Sequence, residues 1–479
     1  MSHRDDGAAP GALSRRALLE RGASAAALLA LPSVARSWFS DVPPTRTPFT
    51  DRPYLDAARR AEHWIARSAK RDPRGLTWPA DPTDAASVQL NLYSGSPGVV
   101  LFYLELFAAT GETPYLESAR AGADYLMGTL PNSTPALGDE GAGLYTGVAG
   151  IAYTVAMVHR ATHDAKYATG VEQALQLLAT SVKPVGAGVA WNTSTDIISG
   201  SGGIILTLLW LKRHGYGAAM PSTFWNEIVT AAGLRLIELG VAERGGMKWS
   251  ISDTIPKRYP NFSHGTAGVS YVLATLYGET KSEEFLAAAV TGHTYLQAIA
   301  TTTPNDGLRV FHSEPGGEQL FYLSWCHGPA GTARLYKRLW DSTHDPRWRT
   351  YIPRLAQGIV DSGVPEQHPD GSGYWNNISQ CCGNCGVSEF FLAMHAFTRD
   401  ERHLAFARRV VDNTVSRATT DGDGLKWIQA EHRVRPGLLV AQTGLMQGAA
   451  GVGLALLHLD GALQGRGALV ALPDAPDWG

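Results

Sequence analysis

The stretch Ser263-His264-Gly265-Thr266-Ala267-Gly268, which runs straight into the apolar segment Val269 to Leu276, decides how this chain folds, because it is one of seven copies. The others are Tyr93-Ser-Gly95-Ser-Pro-Gly98, Tyr145-Thr-Gly147-Val-Ala-Gly150, Ile198-Ser-Gly200-Ser-Gly-Gly203, Cys326-His327-Gly328-Pro-Ala-Gly331, Cys381-Cys382-Gly383-Asn-Cys385-Gly386 and Met446-Gln-Gly448-Ala-Ala-Gly451. Their first glycines are 52, 53, 65, 63, 55 and 65 residues apart. Periods of that size signal a stacked or closed array of supersecondary units.

Mostly apolar helices are expected after six of the steps, at Val99 to Leu106, Ile151 to Val158, Ile204 to Leu211, Val269 to Leu276, Val387 to Met394 and Val452 to Leu459. The fifth, Thr332 to Leu339, is more polar. A helix that is apolar all round is buried all round. Between them lie amphipathic segments, Tyr54 to Ala69, Tyr115 to Met127, Lys166 to Ser181, Pro221 to Leu239, Glu283 to Ala300, Trp348 to Ser362 and His403 to Arg417. Seven outer helices alternating with seven inner ones predict an all-α, single-domain (α/α)7 toroid over residues 51–460, followed by a C-terminal tail, 461–479. Closure leaves no terminal repeat in need of a cap. Glycine at each inner-helix start permits close backbone approach and predicts N–H groups left pointing inward. A second repeated element, Gly75-Leu-Thr-Trp78, Gly188-Val-Ala-Trp191, Gly246-Met-Lys-Trp249, Gly373-Tyr-Trp375 and Gly424-Leu-Lys-Trp427, reads as short extended structure at one end of the barrel.

Residues 1–37 depart from this pattern. Ser14-Arg15-Arg16-Ala17-Leu18-Leu19 precedes an apolar run, Gly22 to Leu31, and the small residues Ser33-Val34-Ala35, a pattern similar to a twin-arginine export signal. Residues 38–50 read as a linker, and the expected location is periplasmic or extracellular. The apolar run is too short to span a bilayer. With 479 residues, a net charge of -3 and no Lys/Arg cluster following the repeats, the chain gives nucleic acid and anionic membrane no electrostatic basis for binding.

Chemistry gathers just before the first glycines of successive copies, where His264, Cys326-His327 and Cys381-Cys382 replace Ser, Thr or Gln. On inner helices pointing to a common centre, Cys326, Cys381 and Cys382 can meet around one ion. Three thiolates and an open fourth position suit Zn2+, and soft sulfur disfavours magnesium or calcium. The alternatives are a closed four-cysteine site that includes Cys385, or a redox pair in the C-x-x-C of Cys382 and Cys385. Cys385 lies within the glycine step, where other copies carry Ala, Pro or Gly, which favours a packing role. His264, one repeat ahead of Cys326, is a candidate acid/base.

These motifs together resemble the lanthionine synthetase C-like (LanC) family over residues 51–460. The resemblance implies that Cys326 and Cys381 bind zinc, that His264 is the acid/base residue, and that Asp196, in Asp196-Ile-Ile-Ser-Gly200, contributes ahead of an earlier glycine step. It implies zinc activation of a cysteine thiol in a peptide substrate carrying dehydrated Ser/Thr, for addition to dehydroalanine or dehydrobutyrine, with His327 positioning or sharing the proton transfer. Two departures stand out. Cys382 occupies the place of a usual histidine ligand, as in the subset of bifunctional synthetases whose cyclase domains use three cysteines. Tyr322 stands where some bacterial cyclases have arginine. Thiolate in place of imidazole lowers the charge of the centre by one unit, which makes a bound substrate thiolate more nucleophilic. Two rival readings are a non-catalytic zinc-stabilised toroid that binds peptides or a protein partner, and a glycosidase. The latter needs two facing carboxylates, whereas the glycine thresholds offer thiols and imidazoles.

Overall fold

The computed structural model describes residues 52–131, 141–252, 254–255, 257–366, 377–430 and 437–478. The leader and linker expected over residues 1–50, and Trp375, lie outside them. The inner helices run Ser96–Thr110, Val148–Thr162, Ser201–Arg213, Thr266–Thr280, Pro329–Thr343, Asn384–Thr398 and Ala449–Leu463. Each follows its glycine step, and each packs against the next around a closed ring, the last against the first. The outer helices are Pro53–Ala66, Thr113–Thr129, Ala165–Ser181, Val229–Glu238, Glu283–Ile299, Tyr351–Val360 and Glu401–Ser416. The protein is thus an (α/α)7 toroid, as its repeats predict.

The seam is visible in the backbone. Tyr93 N–H donates to Tyr145 C=O, Tyr145 to Ile198, Ile197 to Ser263, Ser263 to Cys326, Cys326 to Cys381, Cys381 to Met446, and Met446 back to Tyr93, all at 2.8–3.0 Å. Seven hydrogen bonds therefore form a girdle at the N-terminal end of the inner helices, one from each repeat. Repeat three slips by one residue, using Ile198 as acceptor and Ile197 as donor. This girdle fixes the pairs that precede each glycine at a common height.

The inner-helix N–H groups expected to point inward are instead occupied. Ser96, Val148, Ser201, Thr266, Asn384 and Ala449 each donate to the carbonyl seven residues upstream, so the loop before each helix closes its own orphan donors. That tight loop is why glycine is required. A Cβ on Gly265 would lie 1.4 Å from the Tyr259 carbonyl oxygen, and one on Gly331 would lie 1.9 Å from that of Trp325.

Inner helices hand over to outer ones by a recurring turn. Thr162-His163-Asp164, Thr343-His344-Asp345 and Thr398-Arg399-Asp400 each place the middle residue in the left-handed region and use the aspartate as N-cap. After the outer helices come two-stranded antiparallel hairpins, for example Lys183–Val185 with Gly188–Ala190 and Val241–Glu243 with Gly246–Lys248. The repeated tryptophans finish these hairpins. The indole N–H groups of Trp191, Trp249 and Trp427 donate to Leu178, Leu236 and Thr414, each thirteen residues upstream near the end of the outer helix. They are packing devices.

Two expected outer helices are modified. The fourth begins with a π-helical turn, Phe224–Ile228. The sixth is split into Pro346–Arg349 and Tyr351–Val360, because Pro353 cannot donate to an upstream carbonyl and its ring crowds the preceding turn.

Beyond Leu463 the chain enters the ring. Asp474 is fully buried and accepts from Trp325 Nε1 at 2.8 Å, Tyr145 Oη at 3.1 Å and Arg334 at 2.8 Å. The polar face of the fifth inner helix thus finds its counter-charge in the C-terminal segment. Between these residues and Trp478 lies a luminal cavity of about 810 Å3. Among the described residues, no helix is long and apolar enough to cross a membrane.

Candidate functional site

Cys326 and Cys381 are girdle residues, and Cys382 is next in sequence to Cys381, so adjacent repeats five and six deliver three sulfurs to one point. Cys382 Sγ lies 3.3 Å from Cys326 Sγ and 3.3 Å from Cys381 Sγ. All three sulfurs lie within 4.8 Å of one another, and all three residues are buried. These separations are far longer than the roughly 2.05 Å of a disulfide. They approach the ~3.8 Å between sulfurs of a tetrahedral centre with metal–sulfur bonds of about 2.3 Å. The donor set fits a soft metal ion.

The trio's protonation points the same way. Thiol hydrogen bonds from Cys326 and Cys382, together with the Tyr93 phenol, hold Cys381 well below the usual thiol range, against the effect of burial. Burial, then the bonds to Cys381 and Cys382, pushes Cys326 up. A divalent cation bound by such a cluster would displace thiol protons. Cys385 stands apart from this cluster. Its backbone N–H donates to Ile378, its thiol is pushed up by burial, and it packs inside the helix start as its repeat position predicts.

His264 comes from repeat four and Asp196 from the loop of repeat three. His264 Nδ1 lies 2.5 Å from Asp196 Oδ2. The aspartate side chain is fully buried, whereas 26 % of the His264 side chain is exposed. Asp196 Oδ1 accepts the backbone N–H groups of Ser199 at 2.9 Å and Gly200 at 2.7 Å. The carboxylate is thus held by its own loop and orients the imidazole through Nδ1. His264 is close enough to Cys381 to favour its thiolate.

His327 is placed differently from His264. It is buried, its Nδ1 has no hydrogen-bond partner, and burial, with His312 and His264 nearby, pushes it well below the usual imidazole range. Its ring lies 4.3 Å from His312, 5.0 Å from Tyr259 and 5.6 Å from His264. It is a neutral wall of the site behind His264. Tyr322 joins the same wall, with its ring 4.5 Å from His312.

Sequence comparison among the repeats concentrates the site in repeats three to six, and the structure widens it. Tyr93 of repeat one and Gln447 of repeat seven, joined by a 3.0 Å hydrogen bond from Gln447 Nε2 to Tyr93 Oη, lie near enough to influence the thiols of Cys381 and Cys382. Both sit at the same pre-glycine positions as the cysteines. Closing the ring on paper, which makes repeats seven and one neighbours of six, is the signal that would have found them. Tyr259 occupies the recurring loop position whose carbonyl accepts from the helix start, where the repeats share no single residue type, and His312 lies in the connection ahead of repeat five.

The family model described as lanthionine synthetase C-like protein matches residues 86–464. This chain belongs to that family. Nisin cyclase, a solved structure, superposes with a TM-score of 0.58 at 16% identity, covering 84% of this chain and 93% of that one. An unsaturated glucuronyl hydrolase specific for heparin gives a TM-score of 0.46 at 11% identity, covering 87% and 99%. An alpha-1,6-mannanase from a Salegentibacter species gives 0.44 at 12%, covering 86% and 99%. The similarity to nisin cyclase is one of fold.

Proposed function

We propose that this lanthionine synthetase C-like protein is a zinc-dependent cyclase that forms thioether rings in peptides carrying cysteine and dehydrated serine or threonine. The observation that carries the reading is the joint placement of three buried sulfurs and the His264–Asp196 pair at one end of the ring. Zinc held by Cys326, Cys381 and Cys382 would supply Lewis acidity that keeps a substrate thiol in its thiolate form at neutral pH. The sulfur adds to the β-carbon of a dehydroalanine or dehydrobutyrine, and the alkene electrons move to an enolate. His264 Nε2 delivers a proton to the α-carbon, and the resulting imidazole can accept the proton of the next thiol. Asp196 holds the tautomer and stabilises the imidazolium. His327 keeps the His264 ring in place as a neutral neighbour.

A dehydrated peptide with one cysteine, incubated with zinc-loaded protein, should lose its free thiol with no change in mass. Cys326→Ala should lose zinc and the reaction together. Stoichiometric zinc and wild-type cyclisation in Cys326→Ala would overturn the proposal, and zinc binding without cyclisation of any such peptide would favour the peptide-binding scaffold. The paired-arginine leader supports export. Fractionation of cells making the full chain tests it, with protein found only in the cytoplasm as the contrary result.

A further inference from the structure

The C-terminal segment that enters the ring carries a buried carboxylate to the girdle. Glu105 accepts the Leu469 and Val470 N–H groups at 2.9 and 2.8 Å, Tyr153 Oη donates to the Ala471 carbonyl at 2.8 Å, and the Trp478 ring packs 6.0 Å from that of Phe390. Between these anchors lies Asp474, fully buried. One of its carboxylate oxygens accepts from both Trp325 Nε1 and Arg334 Nη1 at 2.8 Å, and the other accepts from Tyr145 Oη at 3.1 Å. Burying a carboxylate is costly unless it is paired and hydrogen-bonded. Apolar side chains would fill the lumen without that cost, but they would let the neighbouring rings slide. An ion pair with directed donors holds one arrangement. What it holds borders the site. Trp325 is followed directly by Cys326, whose N–H donates to the Cys381 carbonyl at 3.0 Å and whose carbonyl accepts from Ser263, the neighbour of His264, at 2.9 Å. The Trp325 ring lies 5.1 Å from that of Tyr145 and 6.1 Å from that of Phe262, and the Arg334 guanidinium lies 5.3 Å from the Phe262 ring. Phe262 stands two residues ahead of His264.

We propose that Asp474 is a positioning residue of the candidate site: by holding the Trp325 indole it fixes the backbone that presents the Cys326 sulfur to Cys381 and Cys382. The C-terminal segment is then a working part of the cyclase, and the lumen it occupies is the support on which the metal ligands are aligned. This inference rests on the reading of the trio as a metal centre.

Three full-length variants test it. Asp474→Leu keeps the branching of aspartate but removes every acceptor, and Trp325→Phe removes the same bond from the other side. Arg466→Gln loosens the same segment by unpairing it from Glu105 and takes no bond from Trp325, so it separates docking of the segment from positioning of the site. Each protein would be melted, titrated with cobalt(II) and competed with zinc, because thiolate-to-cobalt absorption reports how many sulfurs bind. Asp474→Leu and Trp325→Phe should each weaken zinc binding on the order of tenfold and reduce the thiolate absorption. The double variant should bind no more weakly than either single one, since both remove one interaction. Arg466→Gln should lower Tm and keep the wild-type zinc affinity and spectrum. Wild-type zinc affinity and spectrum in folded Asp474→Leu or Trp325→Phe would overturn the proposal while leaving the metal centre standing, as would an equal loss of zinc in Arg466→Gln. Should Asp474→Leu fail to fold, Trp325→Phe decides alone. Wild-type protein that takes up neither metal would overturn the metal centre and this inference with it.

Discussion

Asp196 illustrates how a single residue joins scaffold to chemistry. One carboxylate oxygen is consumed by the backbone of its own loop, which freezes the group, and the other is aimed at His264 Nδ1. Asp196→Asn keeps the shape but turns an acceptor into a donor or a weaker acceptor, so the imidazole loses its fixed tautomer and the support for its charge. Cyclisation should slow by about 10²- to 10⁴-fold while zinc content stays at the wild-type level, measured by peptide assay and metal analysis of the same sample. Loss of zinc in Asp196→Asn would show that the pair serves the metal site rather than the proton. At this scale the sequence was more informative about residue type than about which side chains meet. His264 and His327 occupy equivalent positions, yet only the repeat-three aspartate distinguishes them, and that contact spans 68 residues.

Among the elements, the glycine step is the part most legible in the sequence, because a steric demand repeated seven times leaves a mark that survives every other change. Its consequence for hydrogen bonding was less legible. The expected inward N–H groups are satisfied by carbonyls in the preceding loops, whose sequences share no pattern. The Thr-x-Asp turns ending three inner helices were also readable, since threonine, a left-handed residue and an aspartate cap recur at fixed spacing. The split in the sixth outer helix needed only the proline rule at Pro353. Gly265→Ala tests the step itself. The added methyl collides with the Tyr259 carbonyl, so the loop must shift, and stability should fall by about 3 kcal/mol, read as a drop in Tm. The same shift should displace His264 and reduce cyclisation beyond what the lost stability explains. An unchanged Tm would mean that the loop has room the geometry denies.

For the whole molecule, the question is what holds the seam closed. His458 on the last inner helix lies between Glu105 of the first and Glu389 of the sixth, while Arg466 of the C-terminal segment also pairs with Glu105. Burial opposes charge on His458, but the two carboxylates prevail and raise it to about 10. Burial likewise opposes charge on Glu105, and His458 and Arg466 hold it down at about 2. The His458 contribution is full below its ordinary value of 6.5 and is lost as pH rises through about 10. That of Glu105 is full above 4.5 and is lost as pH falls through about 2. Tm should therefore be highest between about pH 4.5 and 6.5 and decline on the alkaline side. His458→Gln should cost about 3–5 kcal/mol near neutrality by stranding the carboxylates, and should flatten the alkaline decline; a parallel curve would exclude His458 as its source. Closure was predictable from seven repeats, but the luminal docking of Asp474 was not, because its partners Tyr145, Trp325 and Arg334 come from repeats two and five and carry no shared motif. Chemically, the ring brings Cys326, Cys381 and Cys382 to one point, and on the proposed reading they hold one ion there with a position left for substrate. X-ray absorption at the zinc edge tests this most directly: the protein alone should show three sulfurs near 2.3 Å and one lighter atom, becoming four sulfurs when a cysteine peptide is added. Four sulfurs without added thiol would place Cys385 in the site and contradict the account.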